Sequence, residues 1–140
     1  MSTTLRVRSY AHHDEDAVVR LWQTVFADDP PWNAPREMIR RKLEVQPDLF
    51  LVATLDAEVV GTVVAGFDGV RGWIHHLAVT PTARRRGVAS ALMAEAEARL
   101  RALGCPKLNL QVRAGNRDAE AFYAALGFAV EARTSFGKRL

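Results

Sequence analysis

The stretch that most constrains the fold of this protein is LAVTPTARRRGVA, residues 77–89. It reads as the end of a strand, a loop and the first turn of a helix, with Gly87 where the helix begins. A glycine at that point lets a ligand approach the backbone, and the unpaired N–H groups of a helix start favour a phosphate group. The run Arg84–Arg86 adds positive charge. The stretch therefore predicts a small-anion site, with a solvated basic turn as the alternative.

Apolar periodicity on both sides of this stretch predicts the remaining elements. The Asp68-Gly69 pair between two strands predicts a two-residue hairpin turn. Together these elements predict one α/β domain, residues 1–140, with a mixed and mostly antiparallel sheet. The predicted strands are 4–9, 49–55, 59–67, 73–79, 107–113 and 128–130, with another near Phe136, and the predicted helices are 14–26, 35–45, 87–103 and 116–126.

Composition limits the classes of protein to consider. The chain has 140 residues, 49% of them hydrophobic, which is a globular composition. Its net charge of +3 is a mild excess that does not indicate a nucleic-acid binder, which usually has an extended basic face. No apolar run approaches the roughly 18 residues that span a bilayer, and the first residues lack the apolar core of a signal peptide. With Cys105 as the single cysteine, no internal disulfide can form, and we expect a cytoplasmic protein.

Two motifs resemble those of the GCN5-related N-acetyltransferase (GNAT) family. Arg84-x-x-Gly87-x-Ala89 is similar to the signature that holds the pyrophosphate of acetyl-coenzyme A (acetyl-CoA) in that family. Asn116-x-x-Ala119-x-x-Phe122-Tyr123-x-x-Leu126-Gly127-Phe128 resembles the family's second coenzyme-binding helix and the strand after it. The resemblance implies the GNAT fold, with six to seven strands flanked by four helices, and acetyl-CoA as cosubstrate without a metal.

The resemblance also implies which residues act. Acetyl transfer would go directly to a primary amine, with the backbone of strand 77–79 stabilising the oxyanion and Tyr123 protonating the departing thiolate. Spacing alone favours the alternative that Tyr123 belongs to a core stripe with Ala119, Phe122 and Leu126. The implied cofactor-binding residues are Leu77, Ala78, Val79, Arg84, Arg85, Arg86, Gly87, Val88, Ala89, Ser90, Asn116, Ala119 and Phe122.

The general base is less determined by the sequence. Many family members carry a glutamate on the strand that corresponds to residues 73–79, and this chain has none there. It has His75 and His76, which strict strand alternation would place on opposite faces, with His75 on the face of Leu77 and Val79. We therefore predict His75 as the base. A water chain, an amine that arrives neutral, and a purely structural histidine stay open as alternatives.

The acceptor site is predicted in the loop between the first two helices. In the family this loop flanks the acceptor, so Asp29, Trp32 and Asn33 are the predicted substrate-binding residues, and a polar turn is the alternative. The cluster at His12–Asp16 has metal-ligand residue types but no spacing that would make them converge. A coenzyme-binding module without turnover is the alternative function. Many family members are dimers, which leaves a homodimer open.

Overall fold

A computed structural model describes residues 4–140 of the chain. The chain folds as two units, one formed by the residues up to Leu110 and one formed by Gln111–Leu140. The first unit carries the whole sheet and three of the helices, and the second carries the fourth helix. Among the described residues, every helix is too short or too polar to cross a membrane.

The sheet has five strands in the order β1-β2-β3-β4-β5. The first three pairings are antiparallel, and β4 pairs with β5 in parallel. The prediction of a mixed, mostly antiparallel sheet is therefore confirmed. The strands are β1 (Leu5–Ser9), β2 (Phe50–Leu55), β3 (Glu58–Phe67), β4 (Gly72–Val79) and β5 (Leu108–Leu110).

Four α-helices accompany the sheet, as predicted. Pro35 occupies the first turn of the second helix, where its missing N–H is not needed. Gly87 is the N-cap of the third helix, which begins at Val88, one residue after the predicted start. The helices are α1 (Glu15–Val25), α2 (Pro35–Leu43), α3 (Val88–Ala102) and α4 (Arg117–Ala125).

Two details of the predicted strands are wrong. No strand forms at 128–130 or near Phe136 in the described residues, so the count is five instead of six to seven. Val130 and Phe136 are 91% and 93% exposed, and so have no packed face to stabilise an extended segment. The β3–β4 connection also differs, because Phe67 pairs with Gly72 across four residues. The Asp68 carboxylate accepts hydrogen bonds from the N–H groups of Val70 and Arg71, and this wider loop replaces the predicted two-residue turn.

Helices cover both faces of the sheet. The core cluster on one face joins Trp22 of α1 and Ile39 of α2 to Phe50 and Val64 of the strands. On the other face, α3 buries the stripe that its sequence predicted, Val88, Leu92, Ala96 and Leu100. A Cβ atom on Gly61 would lie 2.9 Å from Val88 Cγ1 and 3.0 Å from Leu92 Cδ1. A glycine at that position therefore lets α3 pack closely against β3.

An irregularity in β4 sets up the rest of the site. Val64 pairs with His75 and Thr62 pairs with Ala78, so one β3 residue lies opposite two residues of β4, His76 and Leu77. This is a β-bulge. His76 takes a left-handed backbone conformation with φ 48°, which residues other than glycine rarely adopt. The bulge breaks the alternation of side chains along β4.

Candidate active site

The strand β4 continues past the point where β5 stops pairing with it. The two strands pair only over Gly72–Ile74, and β4 then runs on through Val79. Thr80 N donates to Val60 O on β3 at 2.8 Å. Because successive residues of a regular strand alternate in direction, the N–H group of Val79, next to Thr80 and past the bulge, points to the opposite side, where β5 has ended. A backbone donor is thus available there for a ligand, in the segment 77–79 that the family resemblance implied.

The N-terminus of α3 offers further unpaired donors. Gly87 adopts φ 77° and ψ 11° at the N-cap and has no side chain that could accept a hydrogen bond. Ala91 is the first residue whose N–H bonds within the helix, to Gly87 O at 3.0 Å. The N–H groups of Val88, Ala89 and Ser90 therefore face outward at the positive end of the helix dipole. A Cβ on Gly87 would meet nothing within 4 Å, so the space beside them is open.

The loop before α3 concentrates positive charge. Arg84, Arg85 and Arg86 are all exposed. None of them belongs to an ion pair within the described part of the chain. Arg85 adopts a left-handed conformation with φ 64°, as Gly87 does two residues later. Turns of this kind direct successive N–H groups into one concavity that suits an anion.

The predicted placement of the two histidines on opposite faces is wrong. His75 pairs with Val64, and directly opposed residues share a face. Val64 packs in the cluster with Trp22, and the His76 ring also contacts Trp22, with ring centroids 4.8 Å apart. Both histidines therefore face α1 and α2. Val79 pairs with Gly61 on the α3 side, so His75 does not share its face. The bulge causes both differences.

His76 is held in a defined environment. Its Nε2 lies 3.0 Å from Asp29 Oδ2, and the two side chains are only 11% and 16% exposed. Phe26 packs against the ring with centroids 4.4 Å apart. The buried Trp22 Nε1 donates to Thr62 Oγ1 at 2.8 Å, and Thr62 Oγ1 donates to the His76 carbonyl at 3.0 Å. These contacts fix both the backbone and the imidazole of His76.

His75 has different surroundings. Its side chain keeps a large exposed surface on the sheet. Partial burial of the ring and the positive charge of Lys42 lower the pKa of His75. Burial likewise lowers the pKa of His76, with the His75 ring adding to the shift and the Asp29 carboxylate opposing it. Both imidazoles are consequently neutral at pH 7, the form that accepts a proton.

A cavity of about 240 Å³ opens beside His76, between α1 and the loop that leads to α2. Asp29 and Asn33, two of the three predicted acceptor residues, line it together with Trp22 and Phe26. Trp32 lies in the short 3-10 helix Pro31–Asn33, is 50% exposed and does not line the cavity. The structure thus brings Asp29 and Asn33 together with His76, a residue that the sequence did not single out.

The second unit carries the other predicted residues. Asn116 is the N-cap of α4, and its Oδ1 accepts a hydrogen bond from Ala119 N at 3.2 Å. Tyr123 packs edge to face against Phe122 and Phe128, with ring centroids 5.1 and 5.7 Å apart. Burial raises the pKa of Tyr123, which keeps its hydroxyl protonated near neutral pH. A protonated hydroxyl is the form that a general acid requires.

Comparison with known proteins decides the family. The family model described as acetyltransferase (GNAT) family matches residues 16–128. The chain belongs to this family. An acetyltransferase of Pectobacterium atrosepticum is 41% identical over 97% of this chain and 96% of its own, and one of Sodalis glossinidius is 42% identical over the same shares. The protein is therefore an acyltransferase, and the family expected from the two motifs is confirmed.

Experimental structures agree with the GNAT fold. Ard1 from Thermoplasma volcanium superposes with a TM-score of 0.81 at 29% identity, over 91% of this chain and 84% of its own. An aminoglycoside N-acetyltransferase, AAC(6')-Iy, in complex with a bisubstrate analogue has a TM-score of 0.82 at 19% identity, over 98% and 99% of the two chains. At that identity the likeness concerns the fold alone.

Sequence reasoning missed the pairing of His76 with Asp29. These residues lie 47 positions apart, and neither belongs to a motif with fixed spacing. Only the bulge turns His76 toward α1, and the sequence of β4 contains no glycine or proline at that point to indicate one. The adjacent histidines were the available signal. They marked the right segment without distinguishing which ring would face a carboxylate.

Proposed function

We propose that this GNAT enzyme transfers the acetyl group of acetyl-CoA directly to a primary amine. The observation that carries the proposal is the start of α3. Three N–H groups and the arginines 84–86, none of them paired within the described residues, lie there beside an open space. Such a site suits a diphosphate, because backbone donors and a helix dipole stabilise the anion where it is bound. The family match across residues 16–128 includes both units, and we propose that they form one acetyltransferase domain.

Different residues of the first unit would bind different parts of acetyl-CoA. Arg84–Arg86 and the N–H groups of Val88, Ala89 and Ser90 would bind the pyrophosphate. The N–H groups of Leu77 and Val79, beyond the last pair between β4 and β5, would donate to the thioester carbonyl oxygen. Fixed donors aimed at an oxygen that gains charge are a major source of catalysis in acyl transfer. Asn116, Ala119 and Phe122 remain predicted contacts from α4.

Tyr123 is the proposed general acid. Its raised pKa keeps a proton on the hydroxyl at the pH where the thiolate must be protonated. His75 remains a prediction as the base. Its exposed ring beside Lys42 differs from the enclosed ring of His76, so variants of the two residues test different hypotheses.

The proposed acceptor is a small cationic amine, or the amine-bearing end of a larger molecule. The cavity of about 240 Å³ is smaller than the roughly 300–1,000 Å³ of pockets for drug-sized ligands. Asp29 and Asn33 would bind the ammonium group, with Trp32 at the rim as a predicted contact. AAC(6')-Iy, whose fold this chain shares, binds a coenzyme A conjugate of an acetylated aminoglycoside. We also propose kinship with the bacterial acetyltransferase YpeA, which stretches 32–33, 104–107 and 137–140 resemble.

An acceptor panel tests this function. The wild-type protein is incubated with acetyl-CoA and, separately, with benzylamine, putrescine and a peptide with a free N-terminus, and thiol release is followed from pH 6 to 9. We expect release that depends on one class of amine. Acetyl-CoA at about 100 times its Kd should also add about 2.7 kcal/mol of stability by mass action. A stabilised protein that never releases thiol would instead be a binding module.

A further inference from the structure

The β4 bulge places a strained histidine at the inner wall of the cavity. The left-handed conformation of His76 is unfavourable for a residue with a side chain and persists only where the surroundings hold it. Here Thr62 binds its carbonyl, while Trp22 binds Thr62 and packs on the imidazole. Such strain concentrates at functional sites. The bulge has one clear consequence for side chains: it turns the His76 ring toward the cavity and Asp29.

The two nitrogens of this ring have different roles. Asp29 Oδ2 faces Nε2 at 3.0 Å, so the carboxylate accepts from Nε2–H and leaves the lone pair on Nδ1. Nδ1 forms no hydrogen bond with the described residues. Among those residues, the Tyr10 hydroxyl is the only fully buried side-chain polar atom without a partner, so the unpaired Nδ1 is not fully buried. Nδ1 is therefore a basic nitrogen that has no hydrogen bond to the described residues and keeps some exposed surface, on a residue that lines the cavity.

We propose that His76, oriented by Asp29, is the base that deprotonates the acceptor ammonium in the cavity, in place of the predicted His75. This inference rests on the proposed acetyl transfer. It also fits the position of His76 immediately before Leu77, whose backbone N–H is one of the two proposed donors to the thioester oxygen. An amine in the cavity would meet the base and the electrophile from neighbouring residues of one strand.

The proton balance of the step is complete. One proton of the ammonium group moves to Nδ1 of His76, and the Asp29 carboxylate stabilises the imidazolium that forms. The neutral nitrogen then bonds to the thioester carbonyl carbon as the carbon–sulfur bond breaks. The thiolate takes a proton from Tyr123, which recovers one from the nitrogen as the amide forms. The imidazolium finally releases its proton to solvent, so one proton is released for each acetyl group transferred.

The charges around His76 are compatible with this role. Asp29 faces it from the loop before α2, and His75 faces it from the same strand. Trp22 of α1 and Phe26, directly after the end of α1, contribute aromatic rings, and β3 contributes the Thr62 hydroxyl. Burial lowers the pKa of His76, so the ring is neutral at pH 7 while it can still be protonated reversibly by the ammonium.

The test compares pH profiles of kcat/KM for wild type, His76→Gln, Asp29→Asn and His75→Gln, with benzylamine or whichever panel amine supports thiol release. At pH 7, His76→Gln should lose about 100-fold or more, the usual contribution of a general base. The loss should shrink as the pH approaches the pKa of the amine, because the acceptor then arrives neutral. Asp29→Asn should move the acid limb of the profile to lower pH, since Asp29 raises the pKa of His76.

Control variants separate this role from simple loss of structure. His12→Gln changes an exposed histidine outside the site and should leave the profile unchanged. Acetyl-CoA should stabilise His76→Gln as much as wild type, and a structural defect would not be rescued by alkaline pH. The inference is overturned if wild type releases thiol and His76→Gln keeps its acid limb, or if only His75→Gln loses it. If wild type releases no thiol with any amine, the proposed function fails and the inference fails with it.

Discussion

Two regions of the first unit differ in the kind of ligand that they suit. Residues 84–87, directly before α3, are exposed. The donors there are the backbone N–H groups of the helix start and arginines that form no ion pair with the described residues. The cavity beside His76 is lined in part by the aromatic rings of Trp22 and Phe26, and it has a carboxylate and an imidazole held 3.0 Å apart. The first arrangement suits a highly charged anion that stays partly hydrated. The second suits a small cation that must lose a proton.

The difference suggests separate physical requirements for binding an anion and for transferring a proton. A diphosphate needs charge and a helix dipole, and a local stretch of sequence supplies both. Proton transfer needs a base whose ring nitrogen has a fixed direction. Here Trp22 of α1, Thr62 of β3 and Asp29 of the loop before α2 hold His76 in place. If the two regions have these separate roles, variants can remove one function without the other.

The largest effect should come from Tyr123→Phe, which removes chemistry and leaves binding. Loss of a general acid lowers kcat by about 100-fold or more, while the Kd for acetyl-CoA should change little. Rapid-quench kinetics and calorimetric titration measure the two quantities. Tyr10→Phe is the matched control, because its hydroxyl is buried without a partner in the described residues. Unchanged turnover in Tyr123→Phe would remove this residue from the mechanism.

The opposite effect is expected from Arg85→Ala with Arg86→Ala, which should weaken binding and leave the chemical step intact. Each lost charged hydrogen bond costs about 1.5–3 kcal/mol, or about 10- to 100-fold in Kd. The wild-type affinity should fall with added salt, and the double variant should show a weaker salt dependence. A double Arg6→Ala, Arg20→Ala control removes the same charge from exposed positions elsewhere. Equal weakening by both pairs would show that only net charge matters.

A smaller effect tests the support beneath His76. Thr62→Val removes the acceptor of the buried Trp22 Nε1 and should cost about 1–3 kcal/mol of unfolding free energy. The double variant Thr62→Val, Trp22→Phe should lose less unfolding free energy than the sum of the two single losses, because the indole N–H that Thr62→Val leaves unpaired is then absent. Urea denaturation measures both. Strictly additive losses would mean that the Trp22–Thr62 bond contributes nothing to the network.

The smallest effect is a change in one titration. The His76 ring should titrate below the ordinary histidine pKa of 6.5, because burial disfavours its charged form. Asp29→Asn should lower that pKa further, since the carboxylate stabilises the imidazolium. Nuclear magnetic resonance of labelled histidine side chains follows each ring separately. A rise in the His76 pKa on removing Asp29 would contradict the pairing.

Sequence reasoning predicted most of the fold because the elements depend on local patterns. The α3 stripe Val88, Leu92, Ala96 and Leu100 shows helical periodicity, and each residue is buried as expected. Gly87 is the N-cap of α3 and has the left-handed conformation that glycine readily adopts. The prediction of a final strand at 128–130 was wrong, because an apolar segment forms a strand only where a neighbouring strand is available to pair with it.

The candidate site was predictable only in part for the same reason. The loop around Arg84–Gly87 is contiguous, so its role could be inferred from adjacent residues. The faces of His75 and His76 depend on a bulge whose cause lies in other elements, Thr62 on β3 and Trp22 on α1. The contact between Asp29 and His76 is a tertiary pairing with no local signature. A strand period of two cannot describe a strand that changes its register.

One labelling experiment tests the central claim most directly. Wild-type protein, an amine from the panel and acetyl-CoA labelled with ¹³C in the acetyl group are incubated together, and the products are identified by magnetic resonance and mass spectrometry. The account predicts one labelled N-acetyl amide for each thiol released, with no label on the protein when the amine is omitted. Binding of acetyl-CoA without any labelled amide, or label that accumulates on the protein itself, would contradict it.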